Sequence, residues 1–457
     1  MVHTFTALGV HVAVDVNSGA VHVLDQMLLD LLNEIQPPMG EHCPQEIKEK
    51  LSAYDPAQLD EAWEELKELQ DGGLLFVEDD YINPADAVQE GAPIKALCLN
   101  VAHDCNLRCK YCFASQGGYG TGTKLMPFEA AKAAIDFVVA HSGKRRNLEV
   151  DFFGGEPLMA LDTVKRTVEY ARSIEEETGK CFRFTMTTNG VLLNDENIEF
   201  FNQEMKNCVL SIDGRKEVND AMRIFPDGSG SYDTILPRFK KLVAGREGKE
   251  YYLRGTFTRQ NLDFAADVQH IAEEGFEHVS VEPAVGPKDD PFAIREEDLP
   301  QVKLEYEKLA RYLLKHPETN FFHFNVDLTQ GPCVIKRMRG CGAGAEYVSI
   351  TPEGDIYPCH QFVGKAEYKM GNVFENTFDV SIADKFANLN IYTREDCKTC
   401  WARFYCSGGC SAANLNANGD LSKPAKVGCE MQKKRLECAI AMQAIRSGMA
   451  EMPAEEN

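Results

Sequence analysis

Cys105-Asn-Leu-Arg-Cys109-Lys-Tyr-Cys112 follows closely on a strand-like run, Lys95-Ala-Leu-Cys-Leu-Asn-Val101. Thiolates this close can converge on one metal centre. In an iron–sulfur cubane of the four-iron type, three cysteines leave one iron open to a small molecule that brings its own nitrogen and oxygen donors. A structural zinc instead takes four closed ligands, often as two CxxC pairs, and this stretch supplies a single pair. The spacing favours the open cluster, with a zinc clip completed by a distant residue as the alternative.

At 457 residues and 44% hydrophobic content, the chain exceeds one ordinary core and can fill several. It has no apolar run of membrane-spanning length, and Met1-Val-His-Thr does not begin a basic-then-apolar signal, so a cytoplasmic location without membrane association is expected. In that reducing compartment the 16 cysteines read as metal ligands rather than disulfide staples. The net charge of −23 disfavours nucleic acid and anionic lipid as partners.

Residues 1–90 read as a separate domain. Val10-His-Val-Ala-Val-Asp-Val16 and Ala20-Val-His-Val-Leu24 flank an Asn17-Ser-Gly19 turn, the pattern of a hairpin. Three helices should follow: one capped by Asp25 and stopped by Pro37-Pro38, one from Pro44 to Leu51, and one opening at Asp55-Pro56 and ending at Gly72-Gly73. Leu74-Leu-Phe-Val77 reads as a strand. The sum is winged-helix-like. Its acidic last helix, with Glu61, Glu64, Glu65, Glu68 and Asp71, argues for peptide capture by strand addition rather than DNA binding. Asn83 to Pro93 reads as a linker.

From 91 to 325 strands alternate with helices. Ile94–Val101, Leu148–Phe153, Cys181–Thr187, Cys208–Ile212, Tyr251–Phe257 and His278–Glu282 should form a partial (βα)6 barrel of the TIM type, with ligands at the strands' C-terminal ends. The second strand runs into Gly154-Gly155-Glu156-Pro157, where the glycines allow close backbone approach and Glu156 can accept from an amine. Read alone, that turn is an ordinary strand end.

Paired with CxxxCxxC one βα unit earlier, it resembles the radical S-adenosylmethionine (SAM) enzymes. The resemblance implies a [4Fe-4S] cluster on Cys105, Cys109 and Cys112 and a SAM amino group at Gly154 to Pro157. It also implies SAM contacts from Asn189, within Thr187-Thr-Asn-Gly190, from Ser211 and from Arg223, with the Val281-Glu-Pro283 turn facing the adenine.

Residues 326–457 carry a second array: Cys341, Cys359, Cys397, Cys400, Cys406, Cys410 and Cys429, with Cys333 upstream. Cys397-x2-Cys400-x5-Cys406-x3-Cys410, bracketed by further cysteines, resembles the SPASM extension of radical SAM peptide maturases. A zinc ribbon is the plainer reading. The resemblance implies two auxiliary [4Fe-4S] clusters, making three in all: one on Cys397, Cys400, Cys406 and Cys429, the other on Cys341, Cys359 and Cys410. Cys333 lies farther upstream than the family's usual fourth ligand, so either it closes the second cluster or one iron stays open to a substrate thiolate. Cys43, Cys98, Cys181, Cys208 and Cys438 read as buried thiols.

The whole chain is most similar to the sactipeptide-type maturases of SCIFF peptides. That implies an oxidoreductase that uses a 5′-deoxyadenosyl radical to join a cysteine sulfur to an α-carbon, usually of threonine, in a ribosomally made, cysteine-rich precursor. Its leader would sit on residues 1–90, and a flavodoxin or ferredoxin would supply electrons. Side-chain thioether, formylglycine or carbon–carbon bond formation are the alternatives within the family. Outside it stand a non-catalytic metal-stabilised peptide carrier and a winged-helix iron–sulfur regulator.

Overall fold

The computed structural model describes residues 1–81, 91–328 and 337–451. Three antiparallel strands open the chain, β1 (Val2–Ala7), β2 (Val10–Asp15) and β3 (Val21–Leu24), in that order across the sheet. The expected β2–β3 hairpin forms, and β1 is an addition to it. Helices α1 (Gln26–Glu34), α2 (Gln45–Lys50) and α3 (Pro56–Asp71) follow. Asp25 caps α1 by accepting from Leu28 N, and Asp55 caps α3 by accepting from Ala57 N.

Leu74–Val77 is not a strand, which corrects the expectation above. Phe76 takes a left-handed φ of 57° and breaks the extended run. The segment is pinned to the β2 turn instead: Val77 N donates to Asp15 and Asn17 donates to Val77 O. The linker expectation falls mostly on residues outside the described ones.

The main sheet contains all six expected strands: β4 (Ala96–His103), β6 (Asn147–Gly154), β7 (Cys181–Thr188), β8 (Met205–Ser211), β9 (Glu250–Phe257) and β10 (His278–Pro283). They lie side by side, all parallel. A short antiparallel partner of β4, β5 (Lys124–Leu125), lies off the main path. The parallel run continues at both ends, with β11 (Asn320–Phe321) beside β10 and β12 (Tyr347–Ile350) beside β4. Beyond β12 the strands β13 (Asp355–Tyr357), β14 (Gly371–Asn372) and β15 (Thr377–Phe378) are antiparallel, and among the described residues the path does not close.

The cysteine-rich C-terminal part thus enters the main sheet through β12. Asn100, wholly buried in β4, explains the pairing: its amide donates to Ser349 Oγ at 2.6 Å and to Ile350 O at 3.2 Å. An amide NH2 left without acceptors there would be costly. The N-terminal sheet is equally integrated. Phe5, Val10, Val12 and Val14 belong to the same hydrophobic core as the main sheet, and β1 packs on the C-terminal helix Lys426–Arg446. Among the described residues, no helix is long and apolar enough to cross a membrane.

Candidate functional site

Parallel strands gather their C-terminal ends on one edge of the sheet, and there the loops after β4, β6, β7 and β8 meet. The glycines of the β6 loop serve the protein backbone first. A Cβ on Gly154 would stand 2.3 Å from Ala102 O, and one on Gly155 would stand 2.0 Å from Asp104 O. Gly155 N and Glu156 N donate to those same carbonyls at 2.7 and 2.9 Å. The turn is therefore clamped onto the residue before Cys105, which brings the two motifs into contact.

Glu156 is wholly buried. One carboxylate oxygen accepts from Leu158 N at 3.0 Å and Thr188 Oγ1 at 2.7 Å, and the other accepts from Asn189 N at 2.8 Å. Burial pushes its pKa up, against these bonds and the Arg223 charge. A carboxylate offers about four acceptor sites, so capacity remains for a cationic donor from the cavity. Asn189 reaches from β7 to the cysteine loop, donating to Asn106 Oδ1 at 2.8 Å and lying 3.6 Å from Cys105 Sγ.

Sequence reasoning missed the network behind Arg223. Asp213, buried just past the end of β8, accepts from Tyr111 OH at 2.8 and 2.7 Å, and Arg223 Nη1 donates to the same phenol oxygen at 2.9 Å. Tyr111 lies between Cys109 and Cys112, so the β8 loop holds the cysteine loop in place. Arg223 lines the cavity, and its Nε is buried with no hydrogen-bond partner among the described residues. The signal was available in Ser211-Ile-Asp-Gly214, where Asp213 is the one acid.

The thiols fall into three neighbourhoods. Burial raises Cys105 to about 12 and Cys109 to about 11, and Cys105 feels Cys109 while Cys109 feels Cys112. Burial also pushes Cys359 up, with Cys410 and Cys341 adding. Cys397 rises to about 12 through burial, with Cys406, Cys400 and Cys429 beside it. Positive charge brought by bound iron reverses this tendency and holds such thiols as thiolates. Cys333 lies outside the described residues. Cys43, Cys98, Cys208 and Cys438 are buried as expected, whereas Cys181 is only half-buried; Cys98 also lines the cavity described next.

One cavity of ≈ 770 Å³ connects these parts. Cys105, Cys109, Cys112, Gly154–Pro157, Asn189, Ser211 and Arg223 line it, and so do Cys406, Cys410 and Cys429. His360, which the sequence did not single out, lines it too and stacks on Phe153 with ring centroids 4.6 Å apart.

Comparisons with known proteins agree with this geometry. Residues 99–255 match the radical SAM superfamily, and residues 341–401 match SPASM, an iron–sulfur cluster-binding domain. The radical SAM cyclopropyl synthase TigE of Paramaledivibacter caminithermalis is 25% identical, over 76% of this chain and 74% of its own. A cysteine-type anaerobic sulfatase-maturating enzyme of Clostridium novyi is 24% identical, over 76% of this chain and 96% of its own. The crystal structure of Streptococcus suis SuiB bound to precursor peptide SuiA has a TM-score of 0.53 at 17% identity and covers 93% of this chain and 98% of that one. This chain therefore combines a radical SAM domain, the kind that binds a [4Fe-4S] cluster and SAM, with a SPASM iron–sulfur cluster-binding domain.

Proposed function

We propose that this protein installs thioether cross-links between a cysteine sulfur and the α-carbon of another residue, threonine by preference, in a ribosomally made, cysteine-rich peptide. The continuous cavity carries the reading. A substrate carbon beside Gly154–Pro157 and a substrate sulfur beside Cys410 would share one space.

Cys105, Cys109 and Cys112 would hold the first cluster, leaving an iron for SAM. Glu156 would accept from the SAM amine, and Arg223, through its free Nε, would pair with the carboxylate. Asn189 and Ser211 line the same wall. A cluster and SAM held by these residues would supply radical hydrogen abstraction from the substrate. Cys397, Cys400, Cys406 and Cys429 would hold one auxiliary cluster, and Cys341, Cys359 and Cys410 the other.

The donor sets fit cubanes. Cysteines at Cys105, Cys109 and Cys112, around Cys359 and around Cys397 lie close enough to feel one another's charge, and thiolates are the ligands an iron–sulfur cluster takes. In this reading residues 1–90 recognise the leader, 91–325 form the catalytic partial barrel and 326–457 carry the auxiliary clusters, with a flavodoxin or ferredoxin as electron donor.

Anaerobic protein should contain about 12 irons with matching sulfide. Incubated with SAM, a reductant and a cysteine-rich peptide labelled with deuterium at threonine Cα, it should produce deuterated 5′-deoxyadenosine and a peptide lighter by two hydrogens per link. The similarity to a sulfatase-maturating enzyme supports a second reading, oxidation of cysteine to formylglycine. An aldehyde product with the α-deuterium retained would select it.

A further inference from the structure

Within the cavity, below the Gly154–Pro157 turn, the wall is polar. Asp151 of β6 stands in register with Cys98 of β4 on one side and Thr185 of β7 on the other, and all three line the cavity together with Tyr347 of β12. Strand geometry places this row about 10 Å before Gly154 along β6. The same cavity is lined by Glu156 and Arg223 and by Cys406 and Cys410.

Thr185 stands opposite Asp151 in the β6–β7 register, beside its carboxylate. Arg183, two residues away on β7, is drawn off by Glu149 at 2.5 Å. Among the described residues no cation forms an ion pair with Asp151. The other acids on this wall are committed elsewhere: Glu156 to three donors, and Glu282 to Arg254 at 2.6 Å.

Burial, with Glu149 adding and Thr185 opposing, brings Asp151 to about 7. Burial holds Cys98 up at about 12 and pushes Tyr347 well above the usual phenol range. An acid of this strength is suited to taking a proton near neutral pH.

We propose that Asp151 is the general base that deprotonates the substrate cysteine, an inference that rests on the peptide-cysteine reading above. In the step, the S–H bond breaks, an O–H bond forms on Asp151, and the electron pair stays on sulfur as a thiolate. No electron leaves the substrate. The same step serves thioether formation and cysteine oxidation alike.

The test uses iron-loaded wild type, Asp151→Asn and Asp151→Glu. Wild-type-minus-Asn infrared spectra should show a protonated-carboxyl carbonyl band that titrates with a midpoint near 7. A midpoint in the ordinary carboxylate range, or no such band, overturns the proposal. With SAM and a synthetic cysteine-rich peptide, Asp151→Asn should still form 5′-deoxyadenosine, while product per deoxyadenosine falls about 100-fold and no longer rises with pH through 7. Asp151→Glu should restore part of it. A wild type that modifies the peptide beside an indifferent Asp151→Asn removes the base alone. A wild type that modifies no cysteine peptide removes the substrate reading, and this base with it.

Discussion

Arg403 Nη2 donates to Asn17 Oδ1 at 2.6 Å, joining residues 386 positions apart. Arg403 lies between Cys400 and Cys406, and Asn17 caps the β2–β3 turn, so the N-terminal sheet is bolted to a cysteine loop. The same guanidinium pairs with Asp79 at 2.9 Å and donates to Lys398 O at 2.6 Å. Nearby, His3 stacks on Trp401 with centroids 4.0 Å apart. A peptide held by the N-terminal region is thereby held at a fixed offset from the cavity.

Replacing Arg403 by Ala strands Asp79 and Asn17 at a half-closed interface. Removing one partner of a fully buried pair costs about 3–5 kcal/mol; Asp79 retains 21% exposure, so about 2 kcal/mol is expected. Denaturant unfolding of the iron-loaded protein should show the loss as a first transition that moves to lower denaturant. Asn17→Ala should move it less, because the Arg403–Asp79 pair survives.

Gly155→Ala drives a methyl into the Asp104 carbonyl, where both atoms belong to clamped backbone. The strain is about 3 kcal/mol, and it falls on the cysteine loop. Iron should drop by about 4 per chain while the auxiliary clusters remain. Gly120→Ala is the control, since nothing lies within 4 Å of its added Cβ and only its left-handed φ of 72° opposes it, at about 1–2 kcal/mol. Equal iron loss in both variants would refute the clamp.

The six central strands could be read from sequence because each is a compact run carrying apolar residues between turn residues, and the cysteine spacings could be read because spacing is all they are. Long-range pairing was hidden. Tyr347–Ile350 is too short and too ordinary to announce that it pairs with β4, and it does so through the Asn100 amide, which looks like any polar residue in a strand. Leu74–Val77 has strand composition, yet its backbone amide bonds to Asp15 of the hairpin instead of joining a ladder. Asp151 and Cys98 looked like routine strand residues until the register set them side by side in a cavity.

Glu156→Gln keeps the shape and changes the donor count. Whichever way the amide turns, its NH2 faces a donor: Asn189 N in one orientation, Leu158 N and Thr188 Oγ1 in the other. Losing such a bond to a charged acceptor is worth about 1.5–3 kcal/mol, so SAM affinity should fall about 10- to 100-fold in equilibrium dialysis. Burial raises the pKa of Glu156, so protonation begins at higher pH than for a free carboxylate. Wild-type SAM affinity should therefore weaken as pH falls through that raised value, and the variant should show no such step. Unchanged affinity would make the turn purely structural.

Cys341, Cys359 and Cys410 supply three thiols where a closed cubane takes four. Cys333→Ala should leave iron content at the wild-type level and preserve activity, with the fourth iron open to substrate. A loss of about 4 irons would make Cys333 the fourth ligand.

The N-terminal sheet offers a test of peptide capture that deletion cannot. Removing residues 1–90 would take away Phe5, Val10, Val12 and Val14, which belong to the main core, and expose what they cover, so lost activity would report unfolding. Strand β3 is the better target because β2 pairs with one of its edges and, among the described residues, no strand pairs with the other. Backbone N–H groups alternate along an antiparallel strand, toward the partner and away from it. Proline at the outward positions, either Val21 and Val23 or His22 and Leu24, leaves the β2 ladder intact, whereas the other set breaks it. The tolerated set should keep wild-type iron, SAM affinity and uncoupled SAM cleavage, while affinity for a full-length precursor falls about tenfold for each main-chain bond lost. Undiminished precursor binding by a folded outward-proline variant would move the capture site off this edge.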